Sequence, residues 1–206
     1  MKYCKCKITG KKIPIILNYG SMPIANEFSK KVSKKNNYNM QISFNKENGL
    51  FQLVTAPKPK QLFNKNYAFL TSSSNSMKDH FQNVANIIKK KFKKKNLKIM
   101  EIGCNDGIFL QNFKKLDHLG IEPSANVAQV AMDQGITTVV EFFDKSLAEK
   151  IVSEHGQADA FLAANVMCHI PYINSIVEGI KVLLKTDGII MFEDPYLGDV
   201  IQKTTY

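Results

Sequence analysis

From residue 98 onward, short apolar runs alternate with stretches whose apolar residues recur at helical spacing. Lys98-Ile99-Met100-Glu101-Ile102 reads as a buried strand, followed by a helix through Phe109, Leu110 and Phe113. Leu119 to Glu122 is a second strand, and Ser124, a favourable N-cap, opens a helix running to Gly135. Thr137 to Val140 is a third strand and residues 145–154 a helix; Ala158 to Ala164 is a fourth, with a helix from Ile173 to Leu184. Asp187-Gly188 turns into a fifth strand ending at Glu193. Five such repeats with continuously apolar strands predict an α/β fold, a parallel sheet covered by helices on both faces.

The first 62 residues have a different texture. Ile13 to Leu17, Met40 to Phe44 and Leu50 to Val54 are short apolar runs separated by Gly, Pro and Asn, the pattern of a small β-rich module. Residues 63–80 read as a linker, aromatic at first (Phe63, Tyr67, Phe69) and then the polar run Thr71 to Ser76, a composition associated with mobility. The predicted organisation is a module at 1–62, a linker at 63–80 and the α/β domain at 81–206.

Composition narrows the function classes. A chain of 206 residues with 44% hydrophobic content is an ordinary globular protein. No apolar run approaches the ~20 residues of a membrane helix, and the charged start Met1 to Lys7 has no signal-peptide core behind it. The expectation is a cytoplasmic protein without a membrane partner. Cys104 and Cys168 sit in apolar contexts and read as small buried hydrophobes. The net charge of +10 draws heavily on Lys89 to Lys98, where Val84, Ile87, Ile88 and Phe92 make the opposite face of an amphipathic helix. All 28 basic residues are lysines. Without the planar, bidentate guanidinium that favours phosphate and guanine, the lysine coat reads as a solvated face and a nucleic-acid partner is not expected.

The chemistry concentrates in Glu101-Ile102-Gly103-Cys104-Asn105-Asp106-Gly107, where the first strand turns into its loop. Ligands of open α/β sheets bind at these carboxyl ends. The spacing departs from the three-glycine dinucleotide pattern, and Glu101 and Asp106 would repel a pyrophosphate. They suit a ligand with cationic centres, and S-adenosylmethionine (SAM) has both a sulfonium and an ammonium. Glu122 ends the second strand fifteen residues after Gly107, where a carboxylate accepts ribose hydroxyls. Phe142 reads as core, while Phe143 stands open between core and a flank for adenine. Asn165 ends the fourth strand near the expected sulfonium. The predicted cofactor set is Glu101, Gly103, Asn105, Asp106, Gly107, Glu122, Phe143 and Asn165.

Glu101 to Gly107, Gly120-Ile121-Glu122-Pro123-Ser124, Asn165 to Ile170 and Phe192 to Leu197 together resemble the sugar C-methyltransferase family. Leu17 to Asn26, Gly49 to Leu53 and Tyr67 to Ser72 extend the match along most of the chain. The resemblance implies a Rossmann-like class I methyltransferase sheet, a nucleotide-linked keto-deoxysugar as substrate, and an N-terminal zinc-binding domain. The zinc-ligand positions are held here by Cys6, Thr9, Asn45 and Asn48. A structural zinc needs four good N or S donors, so no zinc is expected, and the module must hold by apolar packing or be loose. The family's Tyr-x-Tyr pair appears as Tyr67-Ala68-Phe69, and Tyr67 and His169 are the candidates for facing the substrate. The resemblance also places a Tyr-His-Glu-His segment carrying the general base beyond Tyr206. The expectation is therefore an incomplete sheet, its fifth strand left with an open apolar edge, and a chain that lacks its base.

The resulting reading is a SAM-dependent C-methyltransferase. Two alternatives stand beside it: a non-catalytic SAM-binding or scaffold module, and an RNA or protein N-methyltransferase. The last is disfavoured because Asn165-Val166-Met167-Cys168 follows the fourth strand where amino methylation commonly uses an Asn/Asp-Pro-Pro-aromatic segment.

Overall fold

The computed structural model describes residues 2–25, 37–92 and 96–204. Asn26, residues 93–95 of the lysine run and Tyr206 lie outside these ranges. The chain divides into two compact units, Met1–Ala68 with Pro171–Asn174, and Phe69–Ile170 with Ser175–Tyr206.

In the first unit, β1 (Tyr3–Lys5), β2 (Lys12–Pro23), β3 (Asn37–Asn45) and β4 (Leu50–Leu53) form an antiparallel sheet in sequential order, followed by the one-turn helix α1 (Pro59–Leu62). Its buried set mixes Cys6, Ile13, Ile24 and Ile42 with Ser43, Asn45 and Gln52. Apolar packing is therefore present, as one branch of the expectation had it, and hydrogen bonds among buried polar groups add to it. The Gln52 side chain accepts from Lys7 N–H at 2.9 Å and donates to the Lys5 carbonyl at 3.0 Å. Asn45 and Asn48 donate to the Cys6 sulfur at 3.2 and 3.8 Å, and Thr9 also bonds to it. The other three inferred zinc positions thus gather around the Cys6 sulfur. Burial pushes the Cys6 thiol up, but the hydrogen bonds from Thr9, Asn45 and the Ile8 backbone outweigh it and bring the thiol down to about 6.

The second unit begins with α2 (Asn75–Lys91) and β5 (Lys98–Ile102), then β6 (Asp117–Ile121) and α3 (Ala125–Asp133). It continues through β7 (Thr138–Val139), α4 (Lys145–His155), β8 (Ala158–Ala164), α5 (Ile173–Leu183), β9 (Leu184–Glu193) and α6 (Leu197–Lys203). The strands are parallel in the order β7-β6-β5-β8-β9, reversing direction of travel between β5 and β8. Continuous apolar strands make this possible, since alternate residues face opposite layers. On one face Ile99, Ala160 and Leu162 meet Phe81, Val84, Ala85 and Ile88 of α2. Burying each of the larger side chains stabilises by about 1.5–3 kcal/mol. On the other face Phe161 meets Phe143, with Ile176, Ile180 and Leu183 of α5 buried.

Two local expectations are corrected. The polar run at Thr71 to Ser76 is a 3-10 turn over Thr71–Ser73 and the start of α2, because the Ser74 hydroxyl caps that helix by accepting from Met77 N–H. The helix expected after β5 is only a 3-10 turn, Leu110–Phe113, whose rings pack on α2 through Phe109 and Phe81. Ser124 stands at the N-cap of α3, but its hydroxyl makes no capping bond. At the sheet's edge, β9 leaves Ile190 and Phe192 exposed. Among the described residues no helix is long and apolar enough to cross a membrane.

Candidate active site

The carboxyl ends of β5 and β6 bring three carboxylates together. Glu101 lies within β5, Asp106 in the loop after it and Glu122 directly after β6, and all three are almost fully buried. Among the described residues, Glu101 Oε2 and Asp106 Oδ1 have no hydrogen-bond partner. Burial raises the Glu101 carboxyl well above its ordinary value, and the charges of Glu122 and Asp106 raise it further. Burial also raises Glu122, against the N–H bonds that favour its anion. A low-dielectric site with clustered negative charge and two orphan oxygens is poised for a cationic ligand.

Backbone geometry fixes the cluster. Asn105 N–H donates to Glu122 Oε2 at 3.1 Å, and Ser124 N–H donates to Oε1 at 2.8 Å. Each carboxylate oxygen keeps a further lone pair for a hydroxyl donor. Gly103 N–H donates to the Ile121 carbonyl at 2.7 Å, tying the loop to β6. Gly103 has φ +65°, and a Cβ there would collide with Val166 Cγ2. At Gly107 (φ +78°) a Cβ would lie 2.8 Å from Ile136 Cγ1. Both glycines belong to the cofactor set expected from the sequence. Side chains of the protein itself make the close approach at each, so glycine is demanded by packing as well as by φ.

Asn105 and Asp106 also hold a neighbouring segment, which the sequence did not reveal. Asn105 Oδ1 accepts from Thr71 N–H at 3.0 Å and its amide donates to the Phe69 carbonyl at 3.1 Å. Asp106 Oδ2 accepts from Ser72 N–H at 2.9 Å. These are backbone partners, so residue types at 69–72 carry no signal of them.

Phe143 is corrected from the open reading. It is buried, its ring centroid 5.8 Å from that of Phe161 and its edge against Gly179 of α5, so it is core. Phe142, read as core, is only half-buried. Cys168 is likewise corrected. It lies at the surface, bonded to Asp194; partial desolvation of the sulfur and then that carboxylate push its thiol up to about 12.

Asn165 has φ +54° and donates its N–H to the Glu193 carbonyl at 2.7 Å, so the ends of β8 and β9 meet there. His169 lies in the following 3-10 turn; desolvation lowers its imidazole and the Asp194 charge opposes that shift. Tyr67 belongs to the first unit, its ring 5.7 Å from Phe63. His80 and Glu193, in contact at 2.8 Å, were not singled out by sequence.

A family model described as a methyltransferase domain matches residues 27–204, most of the chain. The chain belongs to the methyltransferase domain family. The buried carboxylate cluster fits a cationic cofactor such as SAM. The methyltransferase domain is 31% identical to C-methyltransferase NovU of Streptomyces niveus, over 52% of this chain and 26% of that protein. It is 28% identical to a ubiquinone biosynthesis O-methyltransferase of Acinetobacter baylyi, over 46% of this chain and 42% of the relative. The chain thus matches less than half the length of these curated relatives. Among solved structures, the plantazolicin methyltransferase BpumL, in complex with a pentazolic analogue and S-adenosylhomocysteine (SAH), aligns at a TM-score of 0.52 and 16% identity. That alignment covers 64% of this chain and 52% of BpumL, and shows a shared fold.

Proposed function

We propose that this domain directs methyl transfer from SAM to a carbon of a nucleotide-linked keto-deoxysugar. The observation that carries the cofactor half is the buried cluster of Glu101, Asp106 and Glu122, with two oxygens lacking partners at the strand ends. Glu101 and Asp106 would face the cationic groups, Glu122 the ribose diol, Gly103, Asn105 and Gly107 the loop side, and Asn165 the region of the transferred carbon. SAM, when bound, supplies an electrophilic methyl group. The protein orients that methyl, excludes water with the buried loop and holds fixed charges where they are needed. The acceptor half is supported by the sugar C-methyltransferase resemblance and the NovU relationship. Tyr67 and His169 are the candidate substrate contacts.

Calorimetry with SAM tests the cofactor half: wild type gives a heat of binding that Glu122→Ala loses. Incubation with ¹³C-methyl SAM and a nucleoside-diphosphate-linked 4-keto-6-deoxyhexose tests the acceptor half. A new carbon-bound methyl signal is expected; an oxygen- or nitrogen-bound methyl overturns that half, and absence of SAM binding overturns both.

A further inference from the structure

We propose that a polar cavity beside the carboxylate cluster is a binding site for a nucleotide, its phosphate taken by Lys78 and its base edge by Gln111 and Gln134. The site stands apart from the SAM and sugar readings above and does not rest on either.

The cavity measures about 470 Å³, within the range of small-molecule sites. It lies between α2, the 3-10 turn Leu110–Phe113 and the end of α3, and none of the residues expected to hold SAM lines it. Ser72 lines it and gives its N–H to Asp106 Oδ2 at 2.9 Å, so the two sites are neighbours across one residue.

Their charges are opposite. Glu101, Asp106 and Glu122 repel a phosphate from the cluster. Among the described residues no carboxylate lines the cavity, and Lys78 brings its one full charge. Lys98, Lys145 and Lys185 are each paired with a carboxylate, whereas Lys78 has no such partner among the described residues. It stands near the start of α2, where a cation opposes the helix dipole and an anion is favoured, so helix stability does not account for it. Gln82 follows four residues later on the same helix face, with no hydrogen bond to a described residue.

The remaining wall suits a base. Gln111 Nε2 donates to Gln134 Oε1. That bond leaves Gln111 Oε1 as an acceptor and a Gln134 N–H as a donor. A nucleobase edge answers such a combination with its own donor and acceptor, as adenine does to Asn and Gln. The Asn112 amide donates to the Ile108 and Phe109 carbonyls at 3.4 and 3.0 Å, which leaves its oxygen as a further acceptor. Ile108, itself buried, supplies an apolar surface for a ring.

A free nucleotide and the nucleotide of a nucleotide-linked sugar offer this same chemistry. Calorimetry on the full chain at physiological salt tests the site, with uridine diphosphate (UDP), pyrophosphate and UDP-glucose as probes. Wild type is expected to bind UDP more tightly than pyrophosphate. Lys78→Gln should weaken UDP about tenfold or more, the worth of a charge-assisted hydrogen bond. Gln134→Ala should weaken UDP and spare pyrophosphate. Lys78 is exposed, so its substitution leaves the fold intact. Lys90→Gln removes the same charge from the far end of α2 and should change nothing. SAM should bind Lys78→Gln as it binds wild type, and saturating SAM should leave UDP binding in place. UDP-glucose bound as well as UDP assigns the cavity to a nucleotide-linked sugar; UDP bound and UDP-glucose refused assigns it to a free nucleotide. Equal losses in Lys78→Gln and Lys90→Gln reduce the effect to diffuse attraction by a basic chain and overturn the site. UDP no tighter than pyrophosphate overturns the nucleotide assignment, and displacement of UDP by SAM overturns a separate site. Absence of UDP binding overturns the whole proposal and leaves the cofactor reading intact.

Discussion

The backbone N–H of Asn105 donates to Glu122 Oε2 at 3.1 Å, so the loop leaving β5 is held by the carboxylate that ends β6. Ser124 N–H occupies the other oxygen. One side chain thereby organises two strand ends and one helix start. Glu122→Ala strands two backbone donors, each worth about 1–3 kcal/mol when left unsatisfied in a buried site. A fall in Tm of about 2–4 °C per kcal/mol is expected for a chain of this size, together with loss of SAM binding. Glu122→Gln keeps the shape and should lose less stability than affinity.

The raised carboxyls of Glu101 and Glu122 set a pH dependence. Their native forms bind protons more tightly than the unfolded chain, whose carboxyls titrate near the ordinary value of 4.5. Their contribution to stability is fully present below that value and is lost as pH rises through the folded one. The cofactor-free domain should therefore gain stability from these two groups as pH is lowered through that window. Glu101→Gln should flatten the dependence, raise Tm at pH 7 and weaken SAM binding. Thermal unfolding from pH 5 to 8 checks this; an unchanged slope in Glu101→Gln contradicts it.

Gly103→Ala meets two separate penalties, positive φ and the contact with Val166. The first costs about 1–2 kcal/mol and the second about 1–3 kcal/mol. Adding Val166→Ala should recover the contact part and leave the conformational part, a non-additivity that a double-mutant cycle in urea measures.

Asp106 ties Ser72 to the loop while keeping one orphan oxygen. Asp106→Ala should speed amide exchange at Ser72 in cofactor-free protein, visible by hydrogen–deuterium exchange on peptides spanning 69–73. Unchanged protection there would show that the bond does not hold the segment.

Phe143 and Phe142 should separate cleanly. Phe143→Ala should cost about 3–5 kcal/mol through the cavity beside Phe161 and Gly179, with SAM affinity of the folded fraction retained. Phe142→Ala, at a half-buried position, should cost distinctly less. Denaturant melts and calorimetry on both variants decide it.

Much of this was legible along the chain. The boundaries of β5 and β8 follow from uninterrupted apolar runs, and the acidic loop between Glu101 and Gly107 marks the carboxylate cluster by composition alone. Residues 71–76 were misread because a serine-rich run suits both a mobile loop and a helix cap. Only the bond from Met77 N–H to Ser74 separates the two. Phe142 was read as core and Phe143 left open because two adjacent aromatics carry no pattern that says which one is buried.

The sequence by itself determined the alternation of β5 to β9 with most of their helices, the parallel sheet and the acidic character of its carboxyl rim. These depend on local periodicity and residue type, which act over a few positions. Only the tertiary structure decided which side chain fills the space above Gly103, that Cys6 is surrounded by Thr9, Asn45 and Asn48, and that His80 meets Glu193. Each of those joins groups far apart along the chain, brought within ångströms by strand pairing and helix packing. Short-range patterning cannot encode such a meeting, and hydrogen bonds to backbone leave no mark in residue type at all.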